Sequence, residues 1–315
     1  MTGLISLVML GSGGVMPTRE RLTPSVLVYD WNGYTLLLDA GEGAQLRLHR
    51  TPRSVHDLDA IIVTHEHGDH INGLAGLLQS MAVSRRRKPL SIIGPSTVVE
   101  FARDLLEATS TRLGFEINYV TLSGTGSMPL YRSGGDVLEL KWTPSCHTSD
   151  SLAYRIEWRT RPRIDKSLLH AMGLKPGPWI KELVERGSAS VNGRRVKLED
   201  ISSHYFEASI VYTGDTAPCQ SVIELSSNAV LLLHDSTYGS DMEDEAIARG
   251  HSTAEHAALV ALEAGVRHLV LFHVSPRYRG GDARRLYLEA RRLFDRTVLS
   301  WDMMRVSLGP LRRRV

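Results

Sequence analysis

The sequence predicts a layered α/β fold in which two β-sheets lie between outer helices. Its first 40 residues contain three short apolar runs with strand character, and later strands alternate with helix-like segments. Strands followed by strand–helix alternation are typical of sheets that are covered by helices on their outer faces. A chain of 315 residues with 42% hydrophobic side chains can bury such a core as one large domain or two small ones. Because the sequence contains no repeat, low-complexity stretch or linker, we predict a single domain over residues 1–315.

The predicted elements follow from hydrophobic periodicity. The apolar run at 4–10 is a first strand, because seven residues are too few to span a membrane and no basic leader precedes them. Residues 25–30 and 34–39 form a hairpin, since Asn32-Gly33 is a favoured two-residue turn. Further strands are predicted at 60–64, 90–93, 117–122, 137–142, 152–158, 209–213, 230–233 and 269–272. Helices are predicted at 71–84, 97–108, 217–227, 253–264 and 283–294.

Composition fits an intracellular protein and is compatible with a ligand that contains phosphate groups. The net charge is only +2, but 31 of the 37 basic residues are Arg, whose planar fork binds phosphates bidentately. This excess suits a nucleic-acid ligand, although genome composition or thermal adaptation is the more ordinary explanation. Two cysteines, Cys146 and Cys219, are too few for a disulfide framework and fit a reducing cytosol. We therefore expect a cytoplasmic protein without a membrane segment, in which Cys146 is a small core thiol.

The densest cluster of metal-ligand residues directly follows a predicted strand. Residues 64–70 read Thr-His-Glu-His-Gly-Asp-His, which places His65, His67, Asp69 and His70 within six positions. An apolar run that leads to a Gly is typical of a buried strand that opens into a tight loop. Three imidazoles and a carboxylate on one loop make little sense as packing, but they are ligands that zinc prefers. The heptapeptide therefore predicts a metal site.

Three further candidate ligands follow later predicted strands. His147, Asp215 and His273 each stand where a strand opens into a loop, the usual place for sites in α/β proteins. A single histidine there is more often a hydrogen-bonded core or surface residue, and Asp215 could instead cap the helix predicted at 217–227. Together with the dense motif they complete seven ligands, enough for two metal ions about 3.5–4 Å apart with Asp215 as the candidate bridge.

Two metal ions this close suit the hydrolysis of a phosphodiester. They make hydroxide available near neutral pH and stabilise both the entering and the leaving oxygen. Asp69 lies on the metal loop, so it is a candidate to orient the nucleophile or to accept its proton. His251 precedes the predicted helix 253–264 and is a candidate to protonate the leaving oxygen or to brace the phosphate. A local hydrogen-bonding histidine is the alternative interpretation of His251.

Residues 159–206 interrupt the strand–helix alternation. They begin with four basic residues at 159, 161, 163 and 166, and they contain Lys175-Pro176-Gly177-Pro178. A basic segment broken by Pro-Gly-Pro is typical of an arm that projects from the core, but an ordinary surface excursion has the same composition. The residues alone leave both interpretations open.

The motifs resemble those of the metallo-β-lactamase superfamily and, more closely, those of the ribonuclease Z family. The dense histidine motif is followed by His147, Asp215 and His273 in the family's order. The resemblance extends to Leu-Gly-Ser-Gly-Gly at 10–14, Leu-Asp-Ala-Gly-Glu-Gly at 38–43, Gly-His-Ser-Thr-Ala-Glu at 250–255 and Phe-His-Val-Ser-Pro-Arg-Tyr at 272–278. It covers nearly the whole chain.

This resemblance implies a four-layer αββα sandwich with an inserted arm. It implies an endoribonuclease that removes the 3′ trailer from precursor tRNA, two zinc ions per chain, for which manganese or iron could substitute, and a homodimer. It assigns the seven ligands to two ions that share Asp215: His65, His67 and His147 for the first, and Asp69, His70 and His273 for the second. Asp69 would also accept a proton, and His251 would assist the leaving group.

The resemblance also implies residues that contact tRNA. Arg19 and Arg21 match basic positions of the family's loop after the first strand. Gly177 and Pro178 match the tRNA-binding arm of the short form, so residues 159–206 would reach over the partner's active site in the dimer. The Arg cluster of this arm would supply its phosphate contacts.

Two positions depart from the family pattern. Leu22 replaces an amide residue in the loop that is associated with the CCA sequence, which leaves the cleavage of CCA-bearing precursors open. Asp235 stands where the family usually has Glu, which bears on the support of His251.

Three other functions share parts of this pattern. A hydrolase of the same fold that acts on small phosphodiesters or aryl sulfates would have the same seven ligands but no use for a remote arm. A non-catalytic RNA-binding relative would have no need of intact ligands and Asp69. A redox site with iron is compatible with the histidines, but the sequence has no signature of a flavin or a second cofactor.

Overall fold

The computed structural model describes residues 5–30, 32–133, 136–159, 163–204 and 207–309. The strands are β1 Ile5–Gly11, β2 Ser25–Tyr29, β3 Thr35–Leu38, β4 Ala60–Ile62, β5 Leu90–Gly94, β6 Ile117–Thr121, β7 Gly126–Ser133, β8 Asp136–Pro144, β9 Leu152–Arg159, β10 Arg163–Ile164, β11 Ser188–Val191, β12 Arg194–Lys197, β13 Ser202–His204, β14 Glu207–Tyr212, β15 Leu231–Asp235, β16 His268–Phe272, β17 Thr297–Leu299 and β18 Arg305–Leu308. The helices are α1 Ala44–Leu48, α2 Gly68–Ile71, α3 Gly73–Val83, α4 Ser96–Ala108, α5 Lys166–Ala171, α6 Trp179–Arg186, α7 Leu198–Ile201, α8 Gln220–Ser226, α9 Glu243–Ala248, α10 Ala254–Glu263 and α11 Ala283–Leu293.

Two mixed sheets of the same design form the centre of the molecule. The first has the order β18-β1-β2-β3-β4-β5-β6, and the second has the order β17-β16-β15-β14-β9-β8-β7. In the first sheet the pairs from β18 to β3 are antiparallel and those from β3 to β6 are parallel. In the second sheet the pairs from β7 to β14 are antiparallel and those from β14 to β17 are parallel.

Alternating side chains place each sheet between two apolar layers. In β1, Ile5, Leu7 and Met9 pack between the two sheets, whereas Val8 and Leu10 pack outwards against the helices of the first sheet. This follows from the two-residue period of a strand. The second sheet is covered on its outer face by α8, α10 and α11. The predicted αββα sandwich is therefore confirmed, and within the described ranges no helix is long and apolar enough to cross a membrane.

The predicted elements differ from the observed ones mainly at short or polar segments. The predicted tight loop of the histidine motif is partly helical, because α2 begins at Gly68, and the helix predicted at 71–84 is divided at Asn72. Asp215 caps no helix, since α8 begins at Gln220. The prediction that Cys146 is a core thiol was wrong, because its side chain is exposed.

Arg86 and Glu157 are among the charged side chains that the described part of the fold buries. Arg86 is fully buried, and its guanidinium donates hydrogen bonds to backbone carbonyls of Val55, Leu58, Lys88 and Pro89. Glu157 is 8% exposed and forms ion pairs with Lys141 at 2.9 Å and with Arg155 at 2.6 Å. Burial raises the pKa of Glu157, but these two cations outweigh burial and lower it below its ordinary value.

Within residues 163–204, the insertion forms its own small unit. Strands β10 and β13 pair at its base, and β11 and β12 form a hairpin that turns at Asn192 and Gly193. Five buried side chains make a separate apolar cluster: Leu169, Leu183, Ala189, Val196 and Ile201. Arg159 ends β9 and pairs with Glu139, so it belongs to the sheet, and Arg161 lies outside the described residues.

Candidate metal centre

All seven predicted ligands meet where the two sheets come together at one edge. His65 and His67 lie on the turn after β4, and Asp69 and His70 lie on α2. The other three residues follow β8, β14 and β16 and are His147, Asp215 and His273. The strand ends bring side chains that are far apart in the sequence into two groups of ligand atoms within 4.8 Å of one another.

The first group consists of His65, His67, His147 and Asp215. The Nδ1 atom of His67 lies 3.0 Å from His65 Nε2 and 3.2 Å from His147 Nε2. Asp215 Oδ2 lies 3.7 Å from the same His65 nitrogen and 3.8 Å from that of His147. Ligands of a tetrahedral zinc ion are about 3.3 Å apart, given bonds of about 2.0–2.1 Å. The four atoms are thus spaced as the ligands of one ion would be.

The second group consists of Asp69, His70, His273 and, again, Asp215. Asp215 Oδ1 lies 3.2 Å from His70 Nε2 and 3.1 Å from His273 Nε2. Asp69 Oδ2 lies 3.5 Å and 3.2 Å from the same two nitrogens. Because the two carboxylate oxygens of Asp215 face different groups, this side chain can bridge two ions.

Among the described residues, the centre leaves buried polar atoms without a hydrogen-bond partner. They are His70 Nε2 and Asp215 Oδ1, both in the second group. Burial alone would lower the pKa of His70, but Asp215, Asp39 and Asp69 raise it well above its ordinary value. Unpaired ligand atoms in a strongly negative environment fit a cation, since a buried polar atom without a partner is costly. The residues present therefore fit a pair of metal ions.

Partners behind the ligands determine which imidazole nitrogen faces the centre. His70 Nδ1 donates to Asp39 at 2.6 Å, and His147 Nδ1 donates to the carbonyl of Gly250 at 2.8 Å. His273 Nδ1 lies 2.8 Å from the hydroxyl of Thr237. These contacts orient the rings and leave Nε2 free to bind an ion. Sequence reasoning missed Asp39 as a site residue, although it directly follows an apolar strand as the ligands do.

Asp39 is also the centre of a buried network. Its carboxylate accepts hydrogen bonds from the backbone nitrogen of Thr64 at 2.7 Å and from the hydroxyl of Tyr212 at 2.7 Å. Asp39 has φ +54° and His273 has φ +58°, a left-handed conformation that is strained in non-glycine residues. Such strain persists where surrounding contacts enforce it, as they do here.

Two glycines allow backbone to lie against the ligands. A Cβ atom on Gly14 would lie 2.3 Å from the imidazole of His273. Gly250 has φ +67°, and a Cβ atom there would lie 3.0 Å from both Cα and Nδ1 of His147. These close approaches explain the glycines in the segments 10–14 and 250–255.

His251 lies beside the metal ligands and is held by Asp235. Its ring stacks on His273 with 5.3 Å between centroids, and its Nδ1 lies 2.8 Å from Asp235 Oδ2. Burial disfavours the charged ring, but Asp235 outweighs this effect and raises the pKa of His251 to about 9. Aspartate at position 235, although shorter than glutamate, is therefore long enough to contact His251. Thr253 caps the following helix α10, since its side chain accepts a hydrogen bond from the backbone nitrogen of His256.

Asp69 sits at the outer rim of the second group. Its Oδ2 accepts a hydrogen bond of 2.8 Å from the backbone nitrogen of Val15. Burial would raise the pKa of Asp69, but His70 and His273 outweigh burial and lower it well below its ordinary value. The side chain is therefore a carboxylate in this environment.

The loop after β1 holds the basic residues that were predicted to contact substrate. Arg19 is exposed. Arg21 instead donates to Ser12 Oγ at 2.6 Å and to the carbonyl of Ser300 at 2.7 Å, so its guanidinium ties the loop to the body of the fold. Leu22 packs against Gly43, because a Cβ atom added to Gly43 would lie only 2.6 Å from Cδ1 of Leu22.

Solved structures share this architecture. Human tRNase Z, short form, has a TM-score of 0.67 and 22% identity, with 96% of this chain and 98% of that chain covered. The metallo-beta-lactamase fold protein YhfI from Bacillus subtilis has a TM-score of 0.68 and 20% identity, with 97% and 99% covered. A family model described as Anti-Pycsar protein Apyc1 matches residues 5–122. The fold and the candidate site together define a protein of the metallo-β-lactamase fold with a candidate site for metal ions.

Two proteins of similar sequence give the family. A ribonuclease Z from Aeropyrum pernix is 49% identical, and the match covers 97% of this chain and 99% of that protein. A ribonuclease Z from Ignicoccus hospitalis is 37% identical, with 96% and 97% covered. The chain belongs to the ribonuclease Z family and is a hydrolase that cleaves phosphodiester bonds in RNA.

Proposed function

We propose that the protein is a zinc-dependent endoribonuclease that removes the 3′ trailer from precursor tRNA and leaves a 3′-hydroxyl on the tRNA. One observation supports the proposal: in a chain of this family, seven candidate ligands lie together in two groups that share Asp215. His251 and Asp235 lie beside them at hydrogen-bonding distance of each other. The family supports RNA as the substrate class, and the two groups of candidate ligands support metal-dependent hydrolysis.

Each ligand group would hold one zinc ion. His65, His67 and His147 would bind the first, Asp69, His70 and His273 would bind the second, and Asp215 would bind both. When bound, two such ions lower the pKa of water and neutralise the charge on phosphate oxygens. Manganese or iron are the substitutes that this nitrogen and oxygen set also accepts.

The chain's own side chains would move the protons. The carboxylate of Asp69 would orient the attacking water and accept its proton. Because Asp235 holds Nδ1 of His251, the Nε2 atom is left to donate a proton to the leaving oxygen, which is the 3′-oxygen of the tRNA. The backbone N–H of Val15 fixes one oxygen of Asp69 and leaves the other for this transfer.

The insertion at 159–206 would be the arm that binds tRNA at a distance from the cut. Its described part exposes seven cationic side chains, namely those of Lys166, Lys175, Lys181, Arg186, Arg194, Arg195 and Lys197. Cations of this kind bind phosphates regardless of sequence. Pro178 is exposed and is the N-cap residue of α6, so the Pro-Gly-Pro turn leads directly into this helix. Arg19 would contact the cleaved end of the substrate, and Arg21, which binds Ser12 and Ser300, would hold the loop that carries Arg19.

A homodimer in the cytoplasm completes the proposal. In it, the arm of one chain would bind tRNA above the active site of the other. Size-exclusion chromatography with light scattering tests the dimer, and a monomer at working concentration would contradict it.

Cleavage of end-labelled precursor tRNA tests the activity. We expect one cut on the 3′ side of the discriminator, which is abolished by a chelator and restored by zinc. Charge reversal at Arg194 and Arg195 should reduce this cleavage but leave hydrolysis of bis-p-nitrophenyl phosphate intact. Reversal at the exposed residues Arg87 and Arg112 is the matched control. Hydrolysis of the small ester without any cut in tRNA would overturn the proposal.

A further inference from the structure

The two cysteines of the chain are neighbours in space beside the metal centre. Cys146 precedes the ligand His147, and Cys219 lies four residues after the ligand Asp215. Although 72 residues separate them in the sequence, both contact Thr216: its hydroxyl lies 3.8 Å from Cys219 Sγ and accepts a hydrogen bond from the backbone nitrogen of Cys146. Cys146 is exposed and Cys219 is partly exposed. Nothing in the hydrolytic chemistry uses either thiol.

Four hydrogen bonds, three of which involve a side-chain hydroxyl, join the two segments that contain the cysteines. Cys146 donates from its nitrogen to Thr216 Oγ1 at 3.1 Å, and its carbonyl accepts from Ala217 at 2.8 Å. On one side, Ser145 Oγ donates to the carbonyl of Asp215 at 3.1 Å. On the other side, the Ser221 hydroxyl donates to the carbonyl of Pro144 at 2.8 Å. The two segments are therefore held side by side, with Cys146 bridged to Ala217, two residues before Cys219.

We propose that Cys146 and Cys219 form a reversible disulfide that ties the loop of His147 to the segment of Asp215. These two ligands belong to the same group, so the bond would hold one side of the metal centre in place. A disulfide that closes a loop of this length restricts the unfolded chain strongly. The modification would act on stability and on metal retention.

The oxidation balances with a small-molecule disulfide such as oxidised glutathione. One cysteine thiol loses its proton to solvent, attacks the glutathione disulfide and expels one glutathione thiolate. The second cysteine thiolate then attacks the mixed disulfide and expels the other glutathione. The protein loses two electrons and two protons, and the oxidant is converted to two thiols.

Thiol titration of the zinc-loaded protein tests the bond. After equilibration with oxidised glutathione and unfolding, we expect no reactive thiol, whereas the protein kept in reduced glutathione should show two. The oxidised form should melt about 5 °C or more higher than the reduced form. It should also release zinc to a chelator several-fold more slowly.

Serine substitutions provide the control. Cys146→Ser and Cys219→Ser each leave one thiol, so neither variant should change its melting temperature between the two buffers. Glutathione adducts on both cysteines of the wild type, without an intramolecular bond, would overturn the proposal. So would a disulfide that forms but changes neither the melting temperature nor the rate of zinc release.

Discussion

Replacement of Asp39 by Asn should weaken metal binding although Asp39 contacts no ion. Its carboxylate lies 2.6 Å from Nδ1 of His70 and also accepts hydrogen bonds from Thr64 and Tyr212. An amide has one oxygen fewer to accept these bonds, and the residue is fully buried, so that water cannot replace it. If His70 then moves its proton to Nε2, the ligand atom of the second group is blocked.

The expected loss is about 10- to 100-fold in zinc affinity, or about 1.4–2.7 kcal/mol, as for other partners of metal-bound histidines. Competition with a chromogenic chelator measures it. Asp30→Asn is the matched control, because Asp30 is also a buried acid that directly follows a strand of the first sheet, 3.1 Å from Trp158 Nε1, but contacts no candidate ligand. Zinc affinity of the Asp39 variant within about twofold of the wild type would refute the reasoning.

Three other substitutions test the fold and the site. Arg86→Met should lower the free energy of urea unfolding by about 3–5 kcal/mol, because it leaves four carbonyls without their buried donor. Glu157→Gln should reduce the pH dependence of that free energy. The lowered pKa of Glu157 stabilises the wild type above the ordinary glutamate pKa, and this stability is lost as the pH falls. Urea unfolding at pH 7 and at about pH 4 measures the difference. Gly250→Ala should displace His147 and weaken zinc binding at least about tenfold in the chelator assay.

Matched variants separate these effects from general damage. Arg87→Met changes an exposed neighbour and should alter stability by no more than about 0.5 kcal/mol. Gly265→Ala meets the same backbone strain at φ +64° but has no atom nearer than 3.6 Å, so it should leave zinc affinity unchanged. Equal losses in both members of either pair would contradict the assigned contacts. A pH dependence that is unchanged in the Gln variant would contradict the role of Glu157.

Sequence patterns identified the candidate ligands that the structure brings together, because their signals are local. His65, His67, Asp69 and His70 share one short segment, and the later ligands each follow an apolar strand of the buried type. The sheet order then explains why these strand ends meet. The long apolar strands and amphipathic helices were also predictable, since burial on both faces or on one face leaves a clear period.

The rest depends on contacts that no local pattern records. Asp39 supports His70 only because β3 pairs beside β4. Strand β7 contains Gly126 and Pro129, and the edge strand β18 is short, so neither has a strong strand pattern. Arg21 looks like a free phosphate contact in the sequence, but Ser12 and Ser300 hold its guanidinium. In each case tertiary neighbours decide the role of the residue.

Anomalous diffraction from zinc-loaded crystals tests the metal centre most directly. The arrangement of ligands predicts two zinc peaks about 3.5–4 Å apart, with one oxygen of Asp215 bound to each. His147 should bind the first ion and His273 the second. A single peak, or two peaks that share no carboxylate, would contradict a binuclear centre bridged by Asp215.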